Sequence, residues 1–137
     1  MSGQREPNWD IDLRDGKYAE KIVDAVFRER IPVEVKHDRY ALKGTRNGRN
    51  VFVETHARNS TTGEWYDSGI NDTKSEAYIF MLSCAERAHV GIIIGVDRLR
   101  ELMRGKATVD GGTRGTHPTK GVLVGTYELV MSAKDPP

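Results

Sequence analysis

The chain has 137 residues, of which 37% are hydrophobic and 30% charged, with 21 Lys and Arg against 20 Asp and Glu. This size and balance exclude a disordered tail and a collagen-like repeat and indicate a single globular domain. The single cysteine excludes an internal disulfide and a cysteine metal cage, while a net charge of +1 neither demands nor excludes nucleic acid. No apolar run approaches the roughly 20 residues that cross a bilayer, and the polar amino terminus lacks a signal-peptide core. We therefore expect a cytoplasmic protein without membrane contact.

The first half of the chain predicts a helix followed by strands. Apolar residues recur at helical spacing over Lys17–Glu29. Two-residue alternation predicts strands over Val33–His37 and Asn50–Ala57, and the turn pair Asn47-Gly48 between them indicates a hairpin. A third short strand is predicted over Glu64–Ile70.

The next stretch predicts a second helix and then a buried strand. Thr73 and Glu76 fit a capping box, and the apolar stripe that follows predicts a helix as far as Ala85. The continuous apolar run within His89–Val96 is typical of a strand buried on both faces. A short helix over Asp97–Met103 should follow it.

The end of the chain adds smaller elements. Residues 105–119 predict a glycine-rich loop, and Gly121–Gly125 an edge strand before a short helix at Tyr127–Met131. The whole pattern indicates a polar arm at residues 1–15 and one domain over 16–137. The order of helix, strands, helix and buried strand predicts an α/β layer fold with a mixed central sheet.

Three acidic residues fall on neighbouring predicted elements. Glu20 lies on the first helix, Asp38 ends the first strand, and Glu54 lies on the second strand. Carboxylate oxygens suit Mg²⁺ or Mn²⁺, and the backbone carbonyl of Thr55 would complete the protein ligands. Such a site can hydrolyse a phosphodiester, because the metal lowers the pKa of a bound water and offsets the charge of the transition state.

The segment around these acids is otherwise basic, which favours a polyanionic partner. No recognition helix or zinc finger accompanies it, so recognition would be of DNA shape or backbone. The candidate DNA-binding residues are Arg39, Lys43, Arg46, Arg49 and Arg58.

These features resemble the PD-(D/E)xK nuclease superfamily, and most of all its small phage-encoded members and the archaeal Holliday-junction resolvases. The resemblance spans about residues 16–82. It is carried by Gly16–Glu20 (GKYAE), Glu34–Asp38 (EVKHD), Gly48–Glu54 (GRNVFVE) and Ser68-Gly69-Ile70 leading to Thr73-Lys74. The resemblance implies a restriction-endonuclease-like core of helix, three-stranded meander, helix and strand.

On this resemblance Glu20 matches the acid of the first helix, Asp38 the motif aspartate, and Glu54 the acid of the (D/E)xK pair. The sequence departs from the pattern at His37, where proline is usual, and at His56, where lysine is usual.

The lysine that assists the nucleophile is therefore open. Lys36 and Lys74 are preferred over His56, because the superfamily moves this lysine to neighbouring elements. A second register, with Glu34-Val35-Lys36 as the ExK triplet and Asp24 upstream, is disfavoured because Asp24 falls within the predicted helix.

The resemblance implies a Mg²⁺-dependent endonuclease that acts as a homodimer on branched DNA, in phage recombination or genome processing in the host cytoplasm. Two alternatives remain. One is a catalytically inactive nuclease-fold module that binds DNA, which His56 favours. The other is a module that binds a host protein through Trp65 and the glycine-rich loop.

Overall fold

The computed structural model describes residues 20–21, 24–85, 88–111 and 118–132. The predicted polar arm and part of the glycine-rich loop lie outside these residues. Residues 20–21 and 24–27 are helical, as the apolar spacing predicts. The later elements are β1 (Val33–Asp38), β2 (Asn50–Arg58), β3 (Trp65–Asp67), a 3-10 turn (Gly69–Asn71), β4 (Ala77–Ala85), β5 (Ala88–Gly95), α1 (Val96–Met103), β6 (Val109–Asp110), β7 (Thr119–Gly125) and α2 (Thr126–Met131).

The strands form two sheets. The first has the order β1-β4-β5 and is mixed, because β1 runs parallel to β4 whereas β5 runs antiparallel to it. The second has the order β3-β2-β7-β6 and is antiparallel throughout. The predicted α/β class with a mixed sheet is confirmed at this level. In the described part of the chain no helix is long and apolar enough to span a membrane.

One hydrophobic cluster joins the two sheets and the two helices. Alternate side chains of β2, β4 and β7 enter it along part of each strand, because successive side chains of a strand point to opposite faces. The helices contribute Leu99 and Leu129, which are 0% and 2% exposed. The strand members are Val51, Val53, Tyr78, Phe80, Leu82, Ile94, Val122 and Val124.

The helix predicted after Thr73 is wrong, because residues 77–85 form β4. Tyr78, Phe80 and Leu82 are buried in the core, whereas the intervening Ile79 and Met81 are half-buried. This is the two-residue period of a strand. The apolar residues of this segment are dense enough to satisfy the helical spacing as well, so local pattern alone did not separate the two structures.

The predicted hairpin of β1 and β2 is also wrong. β1 pairs with β4, with Glu34 opposite Tyr78, and β2 pairs with β3 and β7 in the other sheet. Residues 39–49 therefore carry the chain between sheets. Strand β7, which was predicted at an edge, lies between β2 and β6. A turn pair such as Asn47-Gly48 marks a reversal of the chain but does not specify the long-range partner of either strand.

Substitutions in β4 test the strand against the helix. We expect Phe80→Ala to lower the free energy of unfolding by about 3–5 kcal/mol, because the ring is buried in the core. Met81→Ala should cost clearly less, since its side chain is half-buried. Urea denaturation measures both. A larger loss at Met81 than at Phe80 would support the helix, in which Met81 belongs to the buried stripe.

Candidate active site

A pocket of about 490 Å³ lies where the end of β1 and the loop after it face the outer side of β2. It contains two of the three predicted acids, Asp38 and Glu54, together with two arginines. The lining residues are His37, Asp38, Arg39, Tyr40, Arg46, Asn47, Asn50, Phe52, Glu54, Gly111 and Thr119.

Strand β2 supplies one wall of the pocket through its alternation. Val51 and Val53 are 1% and 2% exposed and pack into the core. The opposite face therefore presents Asn50, Phe52 and Glu54 to the pocket. The same strand thus anchors the core and displays a carboxylate.

Glycines beside Phe52 make room for its ring. A Cβ atom on Gly121 of β7 would lie 2.6 Å from the Phe52 Cζ atom, and one on Gly111 would lie 2.5 Å from it. Both distances are too short for real contacts, so the Phe52 ring fits only because both positions are glycine. Phe52 forms an apolar part of the pocket wall.

The carboxylate of Asp38 is held by the backbone that follows β1. Its Oδ1 atom accepts hydrogen bonds from the N–H groups of Tyr40, at 2.7 Å, and Ala41, at 2.8 Å. Aspartate favours this local bond because its short side chain reaches backbone donors two and three residues on. Asp38 therefore fixes the turn that brings Tyr40 to the pocket.

Glu54 is held by the turn after β3. The hydroxyl of Ser68 donates a hydrogen bond to Glu54 Oε2, and the Ser68 N–H donates to the Thr55 carbonyl at 2.9 Å. Gly69 has φ of +55°, and a Cβ atom there would lie 2.2 Å from the Glu54 carbonyl oxygen. The turn approaches β2 this closely only because residue 69 is glycine.

The Thr55 carbonyl and His56, which were predicted to act together with these acids, each contact another group. The Thr55 carbonyl, expected as a metal ligand, already accepts the Ser68 N–H. His56 lies beside Glu54 in sequence, but its Nδ1 is 2.8 Å from Thr55 Oγ1 and its Nε2 is 3.5 Å from the Asp67 carboxylate. It is not among the described residues that line the pocket.

Glu20, Lys36 and Lys74 are not among the described lining residues either. Glu20 is exposed on the amino-terminal helix, and Lys74 is exposed between the 3-10 turn and β4. The Lys36 ammonium lies 2.5 Å from Glu34 Oε1. Within residues 20–21, 24–85, 88–111 and 118–132, no three His, Cys, Asp or Glu side chains form a group that could hold a metal. The structure brings together two of the three predicted acids.

The predicted DNA-binding residues divide into two groups. Arg39 and Arg46 line the pocket. Lys43 and Arg49 are exposed on the loop between β1 and β2. Arg58 donates a hydrogen bond from its Nε to the Gly63 carbonyl at 2.9 Å, so it stabilises the β2–β3 turn.

Sequence reasoning missed the residues that shape the site rather than carry its charge. Ser68 fell within the motif that carries the nuclease resemblance, yet its bond to Glu54 depends on how the turn packs. Tyr40, Asn50 and Phe52 enter the pocket through the alternation of β2 and the turn after β1. That alternation is readable in sequence, and it is the signal that could have placed Asn50 and Phe52 on the face of Glu54.

No protein-family model, curated protein or solved structure matches the chain.

A second polar cluster lies on the edge of the first sheet, where Glu34 stands opposite Tyr78. Partial burial raises the pKa of Glu34, but the Lys36 ammonium and the Thr73 hydroxyl, 3.2 Å from Oε2, outweigh it and leave the pKa below its usual value. Burial, reinforced by the charge of Glu34, raises the pKa of Tyr78 from 10.0 to about 12. In this cluster the Lys36 ammonium forms an ion pair with Glu34, and Lys36 is not among the described residues that line the pocket.

The raised pKa of Tyr78 predicts a loss of stability in alkali. Burial keeps the Tyr78 hydroxyl neutral in the folded state, so the free energy of unfolding is unaffected by this group below pH 10 and falls as the pH rises towards about 12, because only the unfolded chain ionises in this window. Between these pH values the free energy of unfolding of Tyr78→Phe should fall by about 2 kcal/mol less than that of the wild type. Denaturant unfolding at a series of pH values measures the difference. Equal losses in the two proteins would show that Tyr78 ionises normally.

Proposed function

We propose that the chain is a metal-dependent endonuclease that hydrolyses phosphodiester bonds of DNA. The observation that carries the proposal is the pocket that Asp38 and Glu54 share with Arg39 and Arg46. These acids come from different sheets and were singled out for their chemistry, so their meeting in one pocket is not a consequence of sequence proximity.

The two carboxylates fit Mg²⁺ or Mn²⁺. Protein sites for Mg²⁺ use one or two carboxylates and leave the remaining positions to water and substrate phosphate. Asp38 and Glu54 would hold the ion, and each carboxylate is oriented by hydrogen bonds from Tyr40, Ala41 or Ser68. The bound ion would activate water and offset the charge that collects on the phosphate.

The arginines supply the complementary charge for the DNA backbone. Guanidinium groups bind phosphate oxygens through paired, charge-assisted hydrogen bonds. Arg39 and Arg46 would position a phosphate beside the carboxylates, and the exposed Lys43 and Arg49 would extend this contact along the strand.

The nuclease resemblance extends the proposal. Of the restriction-endonuclease-like core that the resemblance implies, the mixed sheet and the acids at the end of β1 and on β2 support the proposal. The chain departs from that core where β4 takes the place of the second helix and where β1 pairs with β4 instead of β2. Branched DNA, such as a Holliday junction, is the proposed substrate in phage recombination or genome processing. A homodimer would cut the two strands of such a junction symmetrically.

A second candidate is a catalytically inactive module of nuclease fold that binds DNA or a host protein. The position of the candidate catalytic lysines favours it, because neither Lys36 nor Lys74 is among the described residues that line the pocket. Lys36 instead pairs with Glu34.

Cleavage assays with conservative variants test the enzyme. Asp38→Asn keeps an oxygen for the Tyr40 and Ala41 N–H groups, and Glu54→Gln keeps one for Ser68, but each removes a charge that the metal requires. We expect each to lower Mg²⁺-dependent cleavage of a labelled four-way junction by more than the roughly 10- to 100-fold cost of losing an outer-shell partner. The exposed Glu64 provides the matched control, and Glu64→Gln should cleave as the wild type does.

The same assay separates the two candidates. Four-way junction, linear duplex and single strand are incubated with Mg²⁺, Mn²⁺ or EDTA, and Mn²⁺ binding is followed by calorimetry. Cleavage that survives in EDTA, or in Asp38→Asn and Glu54→Gln, would refute the metal-dependent mechanism. Binding of DNA without cleavage under any metal would support the inactive module.

A further inference from the structure

The pocket is larger than a metal ion and one phosphate require. Its volume of about 490 Å³ falls in the range of roughly 300–1,000 Å³ typical of sites for organic ligands. Besides the acids and arginines it contains aromatic and amide side chains. Tyr40, Asn50 and Phe52 have no role in the proposed hydrolysis, whereas Arg46 would serve both the phosphate and the additional ligand.

A flat wall is formed by Tyr40 and Arg46. The Arg46 guanidinium carbon lies 4.0 Å from the centre of the Tyr40 ring. The Tyr40 backbone is fixed by Asp38, and Arg46 adopts φ of +64°, which is unusual for a residue with a side chain. Such backbone strain is concentrated at binding sites, where the surrounding structure maintains it. The backbone at both residues therefore places the guanidinium and the ring beside each other.

The other walls combine amides with an apolar surface. Asn50 donates one N–H to the Asn47 carbonyl at 2.8 Å, and an asparagine amide carries a second N–H and a carbonyl oxygen. Phe52 adds an apolar ring beside it. Planar stacking surfaces, amide groups and an apolar contact are together the features that recognise a nucleobase.

We propose that this pocket receives one unpaired nucleotide of the DNA, with its base against the Tyr40–Arg46 wall. The inference rests on the proposed function and narrows its substrate class to DNA with an unpaired nucleotide near the scissile phosphate, as at a gap or at a branch point where a base pair is opened. A base within a duplex is stacked on both faces and paired on its edge, so only an unpaired or extruded base can enter a pocket of this volume.

Binding measurements without cleavage test the proposal. Dye-labelled duplex with one unpaired nucleotide and the same duplex fully paired are titrated in Ca²⁺ or EDTA and followed by fluorescence anisotropy. We expect the wild type to prefer the unpaired nucleotide by about 5- to 100-fold, the range that base–aromatic stacking provides. Tyr40→Ala should abolish this preference and Tyr40→Phe should retain it. Tyr127→Ala, which removes a tyrosine that is 73% exposed on α2, should leave it unchanged.

A second variant tests the same wall in case Tyr40→Ala fails to fold. Arg46→Gly suits the positive φ and removes the guanidinium plane, so it should lose the preference for the unpaired nucleotide while it melts no earlier than the wild type. Lys43→Gly provides the control for charge, because Lys43 lies on the same loop but is not among the described lining residues. It should weaken binding to both DNAs equally.

The outcomes distinguish this proposal from the endonuclease. Equal affinity of the wild type for the two DNAs, or equal loss for both in Tyr40→Ala and Arg46→Gly, would overturn the nucleotide site even if cleavage occurs. A preference that depends on Tyr40 and Arg46 in a protein that cuts no DNA would support the nucleotide site and refute the enzyme.

Discussion

The two faces of β2 are the constraint on which the site depends. Val51 and Val53 are buried in the core, and burial of such side chains contributes about 1.5–3 kcal/mol each. A slip of one residue in the pairing with β7 would turn Glu54 into the core and these valines to the outside. Hydrophobic burial therefore also fixes the position of the carboxylate. The Ser68–Gly69 turn reinforces this position from the side of β3 by its bonds to Glu54 and Thr55.

Asp38 links local folding to binding. One of its oxygens accepts two backbone N–H groups, and this bond arranges the loop that carries Tyr40 and Arg46. The carboxylate proposed for the metal and the turn proposed to face the base would thus share one side chain. Substitution by alanine would remove both functions at once, whereas asparagine, which also caps such turns, removes only the charge. This distinction makes the conservative variant the informative one.

Local periodicity sufficed for the elements whose patterns are unambiguous. The alternation of β2 and the helical spacing of α1 predicted these two elements. The apolar run of β5 correctly predicted a strand, but the expected burial on both faces is wrong, because β5 lies at the edge of its sheet and Val90 is 50% exposed. Asp38 and Glu54 were selected by residue chemistry and share one pocket. β4 was mistaken for a helix because its dense apolar residues fit both periods. The pairing of β1 with β4 depends on contacts between distant segments, which no local pattern contains. For the same reason Ser68 and Phe52 were not foreseen as site residues.

The mixture of charges in the pocket couples its two expected ligands. Asp38 and Glu54 alone would repel a phosphate, and Arg39 and Arg46 alone would repel a cation. With all four present, a divalent cation that neutralised the acids would make the pocket more favourable for DNA, and a phosphate held by the arginines would make it more favourable for the cation. Linkage requires these two effects to be equal in free energy. Because Arg39 and Arg46 line the pocket and Lys36 is not among the described lining residues, the arginines are the cations that would carry this coupling.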